Sequence, residues 1–228
     1  MSRIGLVTGA SRGIGAATAI ALAATGVHVV LIARTQGGLE ETDDAIRAAG
    51  GTASLLPMDL GDGAQLDLVG PSLLERFGRL DILVHAAAAL GRLTPVPHIL
   101  PGDFDTVVAV NLASTWRLIR TCGPLLMAAE AGRAVFVADA TPPRAYWGAY
   151  SATKAAMQHL VLCWAAETVT SRCRVNLFDP GPVGTRLRAA AMPGVPSDSL
   201  RQPADVAPGI LALCAVGEIR HGEVVSAA

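Results

Sequence analysis

The sequence is poor in charged residues and aromatic residues, and it contains no long apolar run. Of its 228 residues, 16% are charged and 4% are aromatic, and the formal net charge is −1. Such a chain lacks the basic surface with which proteins bind nucleic acids or anionic membranes. No apolar run reaches the roughly 18 residues that a membrane-spanning helix needs. We therefore predict a densely packed globule with no nucleic-acid partner and no membrane partner.

Cysteine is also scarce, and its positions are scattered: Cys122, Cys163, Cys173 and Cys214. These residues form no Cys-x-x-Cys pair, and no histidine is spaced to complete a zinc site with them. We therefore expect no metal site and four buried thiols in a reducing compartment. The segment Met1–Ile4 leads directly into a predicted strand, without the apolar core of a signal peptide, so we expect a cytoplasmic protein.

Strands and helices alternate along the chain, which predicts an α/β fold: a single doubly wound, Rossmann-type parallel sheet flanked by helices. Short runs of buried-type residues predict seven strands, at Ile4–Thr8, Val27–Ala33, Thr52–Pro57, Asp81–His85, Gly132–Ala138, Cys173–Phe178 and Gly222–Ser226. The predicted helices are Ala16–Ala24, Leu39–Ala49, Ala64–Phe77, a long stretch through Asn111 to about Met127, Trp147–Leu162 and Pro203–Val216. No internal repeat or linker divides the chain, so residues 1–228 are expected to form a single domain.

A glycine-rich turn follows the first predicted strand. The segment Thr8-Gly9-Ala10-Ser11-Arg12-Gly13-Ile14-Gly15 has the spacing Thr-Gly-x-x-x-Gly-x-Gly and lies between a strand and a helix. Glycines let the backbone approach a pyrophosphate closely, and the free N–H groups at the start of a helix attract that anion. The turn therefore predicts a dinucleotide site.

The end of the second strand indicates which dinucleotide is bound. An acidic residue at this place binds the ribose 2′-hydroxyl of NAD in many such folds. No Asp or Glu occurs before Glu40, whereas Arg12 and Arg34 offer two guanidinium groups. Guanidinium groups suit a 2′-phosphate, so the pattern favours NADP(H) over NAD(H). Two solvated surface arginines are the alternative interpretation.

Tyr150 and Lys154 are spaced to lie one turn apart on the same face of a predicted helix. A nearby ammonium stabilises a phenolate and so lowers the pKa of a tyrosine below its reference value of roughly 10. The pair therefore predicts a proton donor and acceptor for an alcohol or a carbonyl group. Tyr-x-x-x-Lys alone is a weak signal, and its weight comes from the dinucleotide motif upstream.

Together these motifs resemble the short-chain dehydrogenase/reductase family over nearly the whole chain. The matching segments, in the family's order, are Thr8–Gly15, Asp59-Leu60, Val110-Asn111-Leu112, Tyr150-x-x-x-Lys154, and Asn176 through Pro180-Gly181-x-Val183-x-Thr185. The segment Trp147-Gly148-Ala149-Tyr150 is most similar to short bacterial members. The resemblance implies an NAD(P)-dependent oxidoreductase that acts on small carbonyl or alcohol substrates.

The resemblance also implies a role for each matched residue. Tyr150 would be the general acid/base, Lys154 would bind the nicotinamide ribose and lower the pKa of Tyr150, and Asn111 would hold a water molecule in a proton relay. The residues that would bind the cofactor are Gly9, Ser11, Arg12, Gly13, Ile14, Gly15, Arg34, Asp59, Leu60, Ala87, Tyr150, Lys154, Pro180, Gly181, Val183 and Thr185. Family members pair through the helices equivalent to Asn111–Met127 and to the helix of Tyr150, so we expect a homodimer or homotetramer.

Two features of the chain depart mildly from the family pattern. After the fourth strand the family has Asn-Asn-Ala-Gly, whereas this chain has His85-Ala86-Ala87-Ala88. Ala88 adds a Cβ where the backbone should pass close to the cofactor, and His85 is interpreted as a hydrogen-bonded structural residue. The chain also ends soon after its last strand, without the longer tail of many members.

A third departure concerns the catalytic serine of the family. Anchored on Gly132-Arg133, the serine position corresponds to Asp139. We expect Asp139 to lie beside Tyr150, where an ionised carboxylate only accepts hydrogen bonds and repels a phenolate. A protonated Asp139 would be able to donate, and carbonyl reduction would then fall as the pH rises. In the alternative arrangement Thr141 supplies the hydroxyl and Asp139 points to solvent.

Two functions therefore stay open. The first is an NADP(H)-dependent carbonyl reductase or alcohol dehydrogenase, and the second is a catalytically weak or inactive NADP(H)-binding protein that acts as a sensor or assembly partner. The substrate pocket is expected between two walls. One comprises Pro142, Pro143, Arg144, Tyr146 and Trp147, and the other is a short lid, Thr185–Gln202. The lid arginines, Arg186, Arg188 and Arg201, would meet either an anionic substrate or only solvent.

Overall fold

Seven parallel strands form the centre of the structure, a computed structural model that describes residues 2–140 and 142–227. The strands are β1 (Ile4–Thr8), β2 (His28–Ala33), β3 (Thr52–Pro57), β4 (Ile82–His85), β5 (Arg133–Val137), β6 (Arg174–Asp179) and β7 (Val224–Ser226). They lie in the order β3-β2-β1-β4-β5-β6-β7, and each neighbouring pair is parallel. The predicted doubly wound α/β sheet is confirmed.

Helices cover both faces of this sheet. They are α1 (Gly13–Ala24), α2 (Gln36–Ala48), α3 (Gly63–Asp67), α4 (Val69–Phe77), α5 (Pro101–Val108), α6 (Ser114–Ala128), α7 (Gly148–Glu167), α8 (Arg186–Ala191) and α9 (Pro203–Cys214), with 3₁₀ turns at Val96–His98 and Ser197–Ser199. Helices α1, α2 and α9 pack on one face, and α4, α6 and α7 pack on the other. Within residues 2–140 and 142–227, no helix is long and apolar enough to cross a membrane.

The central strands are buried on both faces because helices lie above and below them. All five residues of β1 are buried. Leu6 belongs to the apolar layer beneath α6 and α7, and its neighbour Val7 belongs to the layer beneath α1 and α9. Successive side chains of a strand point to opposite faces, so a strand covered on both sides is apolar throughout. This is why the strands were predictable as short continuous apolar runs.

The predicted helix Ala64–Phe77 is two helices, α3 and α4, and Pro71 lies in the first turn of the second. Pro71 has no N–H with which to donate to the carbonyl oxygen of Asp67. The hydroxyl of Thr121, on α6, donates to that carbonyl over 3.1 Å and accepts from the N–H of Gly70 over 3.0 Å. The carbonyl that the proline leaves unpaired is thus satisfied by a side chain from another helix.

The long helical stretch predicted through Asn111 contains a π turn, Ala109–Ala113, between α5 and α6. Such turns are wider than an α-helix and are frequent at functional sites. The helix that carries Tyr150 continues to Glu167, beyond the predicted end at Leu162. Both differences concern helix continuity and leave the positions of the predicted site residues on their elements unchanged.

The prediction that all four cysteines are buried is wrong for Cys163, which is exposed, whereas the other three are buried. On α7, Val161 and Trp164 pack against the sheet. Residues one or two positions away from such a stripe fall on the opposite side of a helix. Cys163 therefore lies on the outer face of α7.

Candidate active site

A cleft of about 760 Å³ opens at the carboxyl ends of the strands. It lies where β1 and β4 are neighbours in the sheet, so that the chain connections leave in opposite directions, which is where open α/β sheets bind ligands. The predicted residues that line it are Gly9, Ser11, Arg12, Gly13, Ile14, Arg34, Asp59, Leu60, Ala87, Asp139, Tyr150, Lys154, Pro180, Gly181, Val183 and Thr185. Gly15 and Asn111 are buried and support the cleft from behind its lining.

Close backbone contacts explain the glycines between β1 and α1. Gly9 and Gly13 have φ angles of +67° and +59°, which residues with a side chain rarely adopt. A Cβ on Gly9 would lie 2.9 Å from the backbone of Ala87, and a Cβ on Gly15 would lie 2.3 Å from the carbonyl oxygen of Gly9. Arg12, the N-cap residue of α1, has no acceptor atom in its side chain, so the first N–H groups of the helix stay available to an anion. This cradle fits a dinucleotide pyrophosphate.

Arg12 and Arg34, which were predicted to favour NADP(H) over NAD(H), both line the cleft. The structure adds a carboxylate that the sequence pattern did not reveal, because Asp59, at the end of the neighbouring strand, lies 4.0 Å from Arg34. The Arg34 side chain is 71% exposed and that of Asp59 is 52% exposed, so solvent screens the attraction between them. Arg34 is therefore held only loosely and can turn to another anion.

The side chain of Asn111 fastens the loop after β4 to α7. Its Oδ1 accepts from the N–H of Ala89 over 2.7 Å, and its Nδ2 donates to the carbonyl of Ala89 over 2.9 Å. Nδ2 also donates to the hydroxyl of Thr153, on α7, over 3.0 Å. Both amide donors are thus engaged with protein atoms. The predicted water relay through Asn111 stays a prediction.

Ala88 and His85 fit their positions for different reasons. Among the described residues, Tyr146 is the only non-glycine with a positive φ, so Ala88 replaces the family's glycine without backbone strain. His85 is buried, with Nδ1 2.7 Å from the Thr8 hydroxyl and Nε2 3.5 Å from that of Ser114. Burial, followed by the charge of Lys154, lowers the pKa of His85 to about 3. His85 is therefore a neutral, hydrogen-bonded residue, as the sequence predicts.

The Tyr150 hydroxyl donates to Oδ2 of Asp139 over 3.0 Å. Asp139 thus lies beside the phenol, as the alignment on Gly132-Arg133 predicts. Burial raises the pKa of Tyr150, and the charge of Asp139 and its hydrogen bond raise it further, with a smaller effect of Asp179. The expectation that the pKa of Tyr150 is lowered is therefore wrong for this structure. Thr141, the alternative source of a hydroxyl, lies outside the described residues.

Lys154 is buried, and its Nζ donates to the backbone carbonyl of Val137 over 2.5 Å. Burial lowers the pKa of Lys154 to about 8, while the carboxylates of Asp139 and Asp179 act in the opposite direction. The ammonium is thus tied to the end of β5.

Asp179 is a second carboxylate at the site, and it was missed as a site residue from the sequence. Strands β5 and β6 are paired with Val137 opposite Phe178, so the residues that follow lie together at the edge of the sheet. Asp179 ends β6, and its Oδ1 accepts from the N–H of Gly181 over 3.1 Å. An acidic residue directly after each of two adjacent parallel strands was the available signal.

The segment after β6 forms the opposite wall. The hydroxyl of Thr185 caps α8 by accepting from the N–H of Arg188 over 3.2 Å. A Cβ on Gly13 would lie 3.5 Å from the methyl group of Thr185, so the glycine turn and this wall approach each other closely. Buried Val183 bridges to Arg201, which draws Arg201 to the base of the lid, whereas Arg186 and Arg188 line the cleft.

The substrate side of the cleft continues into a hollow of about 340 Å³ beside Asp139 and Tyr150, lined in part by Pro142 and Pro143. Arg144 lies 5.7 Å from the centre of the Trp147 ring. Trp147 and Tyr150 pack with three residues of the lid, Leu187, Ala191 and Met192. Tyr146, which was predicted to line this pocket, is instead exposed and lines neither space.

Known proteins share the sequence pattern of this chain. The family model described as short chain dehydrogenase matches residues 3–195. The oxidoreductase YciK of Escherichia coli strain K12 is 33% identical to this chain over 211 residues, which cover 90% of this chain and 83% of YciK.

Solved structures give the same result in three dimensions. A short chain dehydrogenase from Pseudomonas syringae superimposes with a TM-score of 0.93 at 35% identity, covering 99% of this chain and 94% of that one. A short chain dehydrogenase from Escherichia coli CFT073, solved in complex with NADPH, has a TM-score of 0.92 at 32% identity and covers 98% of this chain and 95% of its own.

Proposed function

Because the chain belongs to the short-chain dehydrogenase/reductase family of oxidoreductases, we propose that it is an NADP(H)-dependent carbonyl reductase or alcohol dehydrogenase. The observation that carries this proposal is that one cleft holds both the glycine cradle and the pair Tyr150 and Lys154. The cradle supplies a place for the cofactor, and the phenol supplies a proton next to it. The substrate is a small molecule bound beside Tyr150.

The residues that would hold the cofactor follow from their places along the cleft. Gly9, Gly13 and Ile14 would hold the pyrophosphate at the start of α1, with Ser11 and Arg12 beside the adenosine phosphate. Asp59 and Leu60 would flank the adenine. Ala87, Lys154, Pro180, Gly181, Val183 and Thr185 line the same cleft and would surround the nicotinamide. When bound, the nicotinamide exchanges a hydride with the substrate carbon.

We propose that NADP(H) is preferred over NAD(H). Arg12 and Arg34 are exposed at the adenosine end of the cleft, and a 2′-phosphate would compete with Asp59 for Arg34. A phosphate offers charge-assisted hydrogen bonds to a guanidinium, whereas a ribose hydroxyl offers a neutral one. The NADPH bound to the Escherichia coli relative supports this assignment.

The raised pKa of Tyr150 favours the protonated phenol, which suits a proton donor better than a base. We therefore propose reduction as the favoured direction, with Tyr150 protonating the substrate oxygen. To do so the hydroxyl turns from Asp139 toward the substrate. Asp139 stands at the position of the family's catalytic serine, and Asn111 holds the loop beside the cofactor in place.

A catalytically weak NADP(H)-binding protein is the second candidate, and the hydrogen bond from Tyr150 to Asp139 is the observation that favours it. In this arrangement the carboxylate accepts the hydrogen bond that the substrate would otherwise receive, and it offers no donor while ionised.

Turnover of a panel of carbonyl compounds with NADPH, compared between the wild type and Asp139→Ser, separates these candidates. We expect Asp139→Ser to raise the rate and to move the pH optimum upward, because a serine hydroxyl donates at every working pH. Asp44→Ser, on the exposed face of α2, is the matched control. NADPH binding without turnover by either protein would establish the second candidate, and an unchanged rate and pH profile in Asp139→Ser would remove Asp139 from the mechanism.

We also propose a cytoplasmic homodimer or homotetramer. The outer faces of α6 and α7 expose Trp116, Met127 and Cys163. The outer face of α6 is less apolar than the family comparison implies, because the guanidinium groups of Arg117 and Arg120 lie over the Trp116 ring. Light scattering at micromolar concentration should give at least twice the monomer mass, and a monomer would contradict the assignment.

A further inference from the structure

The hydrogen-bonding groups around Tyr150 are mismatched to a carbonyl substrate. A carbonyl oxygen only accepts hydrogen bonds, and so does an ionised carboxylate. Asp139 accepts from the Tyr150 hydroxyl over 3.0 Å, so a carbonyl oxygen placed at the phenol would approach a second acceptor. A carboxylate has about four lone-pair sites, so Asp139 can take a further donor besides its protein partners. The group that fits beside it is therefore one that carries a hydrogen.

The charged groups around the Tyr150 phenol also disfavour a carbonyl substrate. Asp139 and Asp179 both act electrostatically on Tyr150 and on Lys154, and each favours a cation and disfavours an anion there. The Lys154 ammonium donates to the carbonyl of Val137. A positive charge on a group bound beside Tyr150 would be stabilised by the same two carboxylates, whereas a neutral carbonyl would gain less from them.

We propose, resting on the reductase function proposed above, that the substrate presents a protonated carbon–nitrogen double bond to Asp139 and Tyr150. The N–H of this iminium group donates to the Asp139 carboxylate, which stabilises the cation and holds its carbon at the nicotinamide end of the cleft. Arg186 and Arg188 line the same cleft, so the rest of the substrate is neutral or anionic. The substrate class is thus an imine and the product class an amine.

The reaction balances without a proton from the protein. The iminium carbon gains the hydride of NADPH, the π electrons of the C=N bond become the lone pair of the nitrogen, and NADPH becomes NADP⁺. The cation becomes a neutral secondary amine, which takes a proton from water after release. Tyr150 needs to donate only when the imine arrives unprotonated, and Asp139 then orients the phenol.

A matched pair of small rings tests this inference. Methylpyrroline, a cyclic imine, and cyclopentanone, a ketone of the same ring size, are each offered with NADPH to the wild type, Asp139→Asn and Asp139→Ser. Loss of a charge-assisted hydrogen bond should lower imine turnover by about tenfold or more in Asp139→Asn. We expect the wild type to prefer the imine, and Asp139→Ser to prefer the ketone. Asp44→Asn, at an exposed position of α2, controls for the loss of an acidic residue.

A binding measurement gives a readout that does not depend on turnover. Pyrrolidine, a cation at neutral pH, and cyclopentanol, its neutral counterpart, are titrated calorimetrically into the protein with NADP⁺ present. The wild type should bind pyrrolidine more tightly than cyclopentanol, and Asp139→Asn should lose most of this difference. Equal affinities in the wild type would overturn the inference.

The outcomes distinguish this inference from the function on which it rests. Turnover of cyclopentanone but not of methylpyrroline would overturn the imine assignment and leave a carbonyl reductase. NADPH binding without turnover of either ring would overturn the reductase function and the imine assignment together. Preference for the imine, lost in Asp139→Asn and kept in Asp44→Asn, supports both.

Discussion

The two ends of the cleft are built in different ways. At the glycine-turn end, which we call the binding half after the cofactor site proposed there, the cleft is lined by the backbone of the turn and by exposed side chains such as Arg34 and Asp59. At the other end, Tyr150 and Lys154 are buried, and Asp139 accepts a hydrogen bond from the phenol. Under the proposed function, variants in the two halves should separate binding from turnover.

The largest effect is expected from Tyr150→Phe. Removing the phenolic proton donor should lower carbonyl turnover by about 100- to 10,000-fold, while NADPH affinity, which depends on the other half of the cleft, changes little. The control is Tyr146→Phe, because Tyr146 is exposed and lines neither the cleft nor the hollow. Parallel loss of NADPH affinity in Tyr150→Phe would show that the two halves are not separable.

His85→Gln tests the support beneath the binding half. The pKa of His85 is lowered from 6.5 to about 3. Between these two pH values the unfolded chain binds a proton at His85 and the folded chain does not. Stability from this residue is present above its unfolded pKa and is lost as the pH falls toward the folded one. The stability advantage of the wild type over His85→Gln should therefore shrink by about 2–3 kcal/mol between about pH 7 and about pH 4.5.

Urea unfolding at both pH values measures this change. His159→Gln is the control, since His159 is exposed on α7. A difference between the wild type and His85→Gln that does not vary with pH would mean that folded His85 accepts a proton as readily as the unfolded chain does.

Gly9→Ala should damage the binding half alone. The added Cβ meets the backbone of Ala87 at 2.9 Å, and the residue has a φ of +67°, so stability should fall by about 1–3 kcal/mol. NADPH affinity should fall with it because the turn moves away from the pyrophosphate. Gly37→Ala is the matched control: its Cβ enters open space within α2, and it should stabilise the protein by about 0.5–1 kcal/mol. Thermal unfolding and NADPH titration of both variants check these opposite signs.

Arg34→Ala should give the smallest effect. We expect NADP(H) affinity to fall by about tenfold, because a charge-assisted hydrogen bond to the 2′-phosphate is lost, and NAD(H) affinity to stay nearly unchanged. Arg172→Ala, at an exposed position outside the cleft, is the control. Equal losses for the two cofactors would show that Arg34 does not read the 2′-phosphate.

Local patterns were sufficient to predict the fold and the glycine turn after β1. The apolar run Ile4–Thr8 and the glycines after it predict a strand, a turn and a helix within a few residues of one another, and the structure forms them there. The hydrogen bonds of His85 were also predictable, because a buried ring nitrogen needs a partner.

The rest depends on contacts between distant parts of the chain. The hydroxyl that satisfies the backbone at the break before α4 comes from Thr121 in another helix, and the carboxylate near Arg34 comes from the end of the next strand. The effect of Asp139 on the pKa of Tyr150 was predicted in the right direction. The effects of burial and of Asp179 were missed, because the Tyr-x-x-x-Lys spacing contains no information on either. These contacts depend on which strands are neighbours in the sheet. The sequence of a single helix contains no information on the order of the strands.

The hydrogen bonds that the Asn111 side chain makes to Ala89 and Thr153 have a consequence for the evolution of this chain. Its amide joins the loop at Ala89 to the hydroxyl of Thr153 on α7, so a substitution there would leave buried polar groups unpaired and cost stability in any descendant. Selection for a foldable protein would therefore keep Asn111 even in a lineage that had abandoned turnover. The presence of Asn111 is therefore explained by folding as well as by turnover.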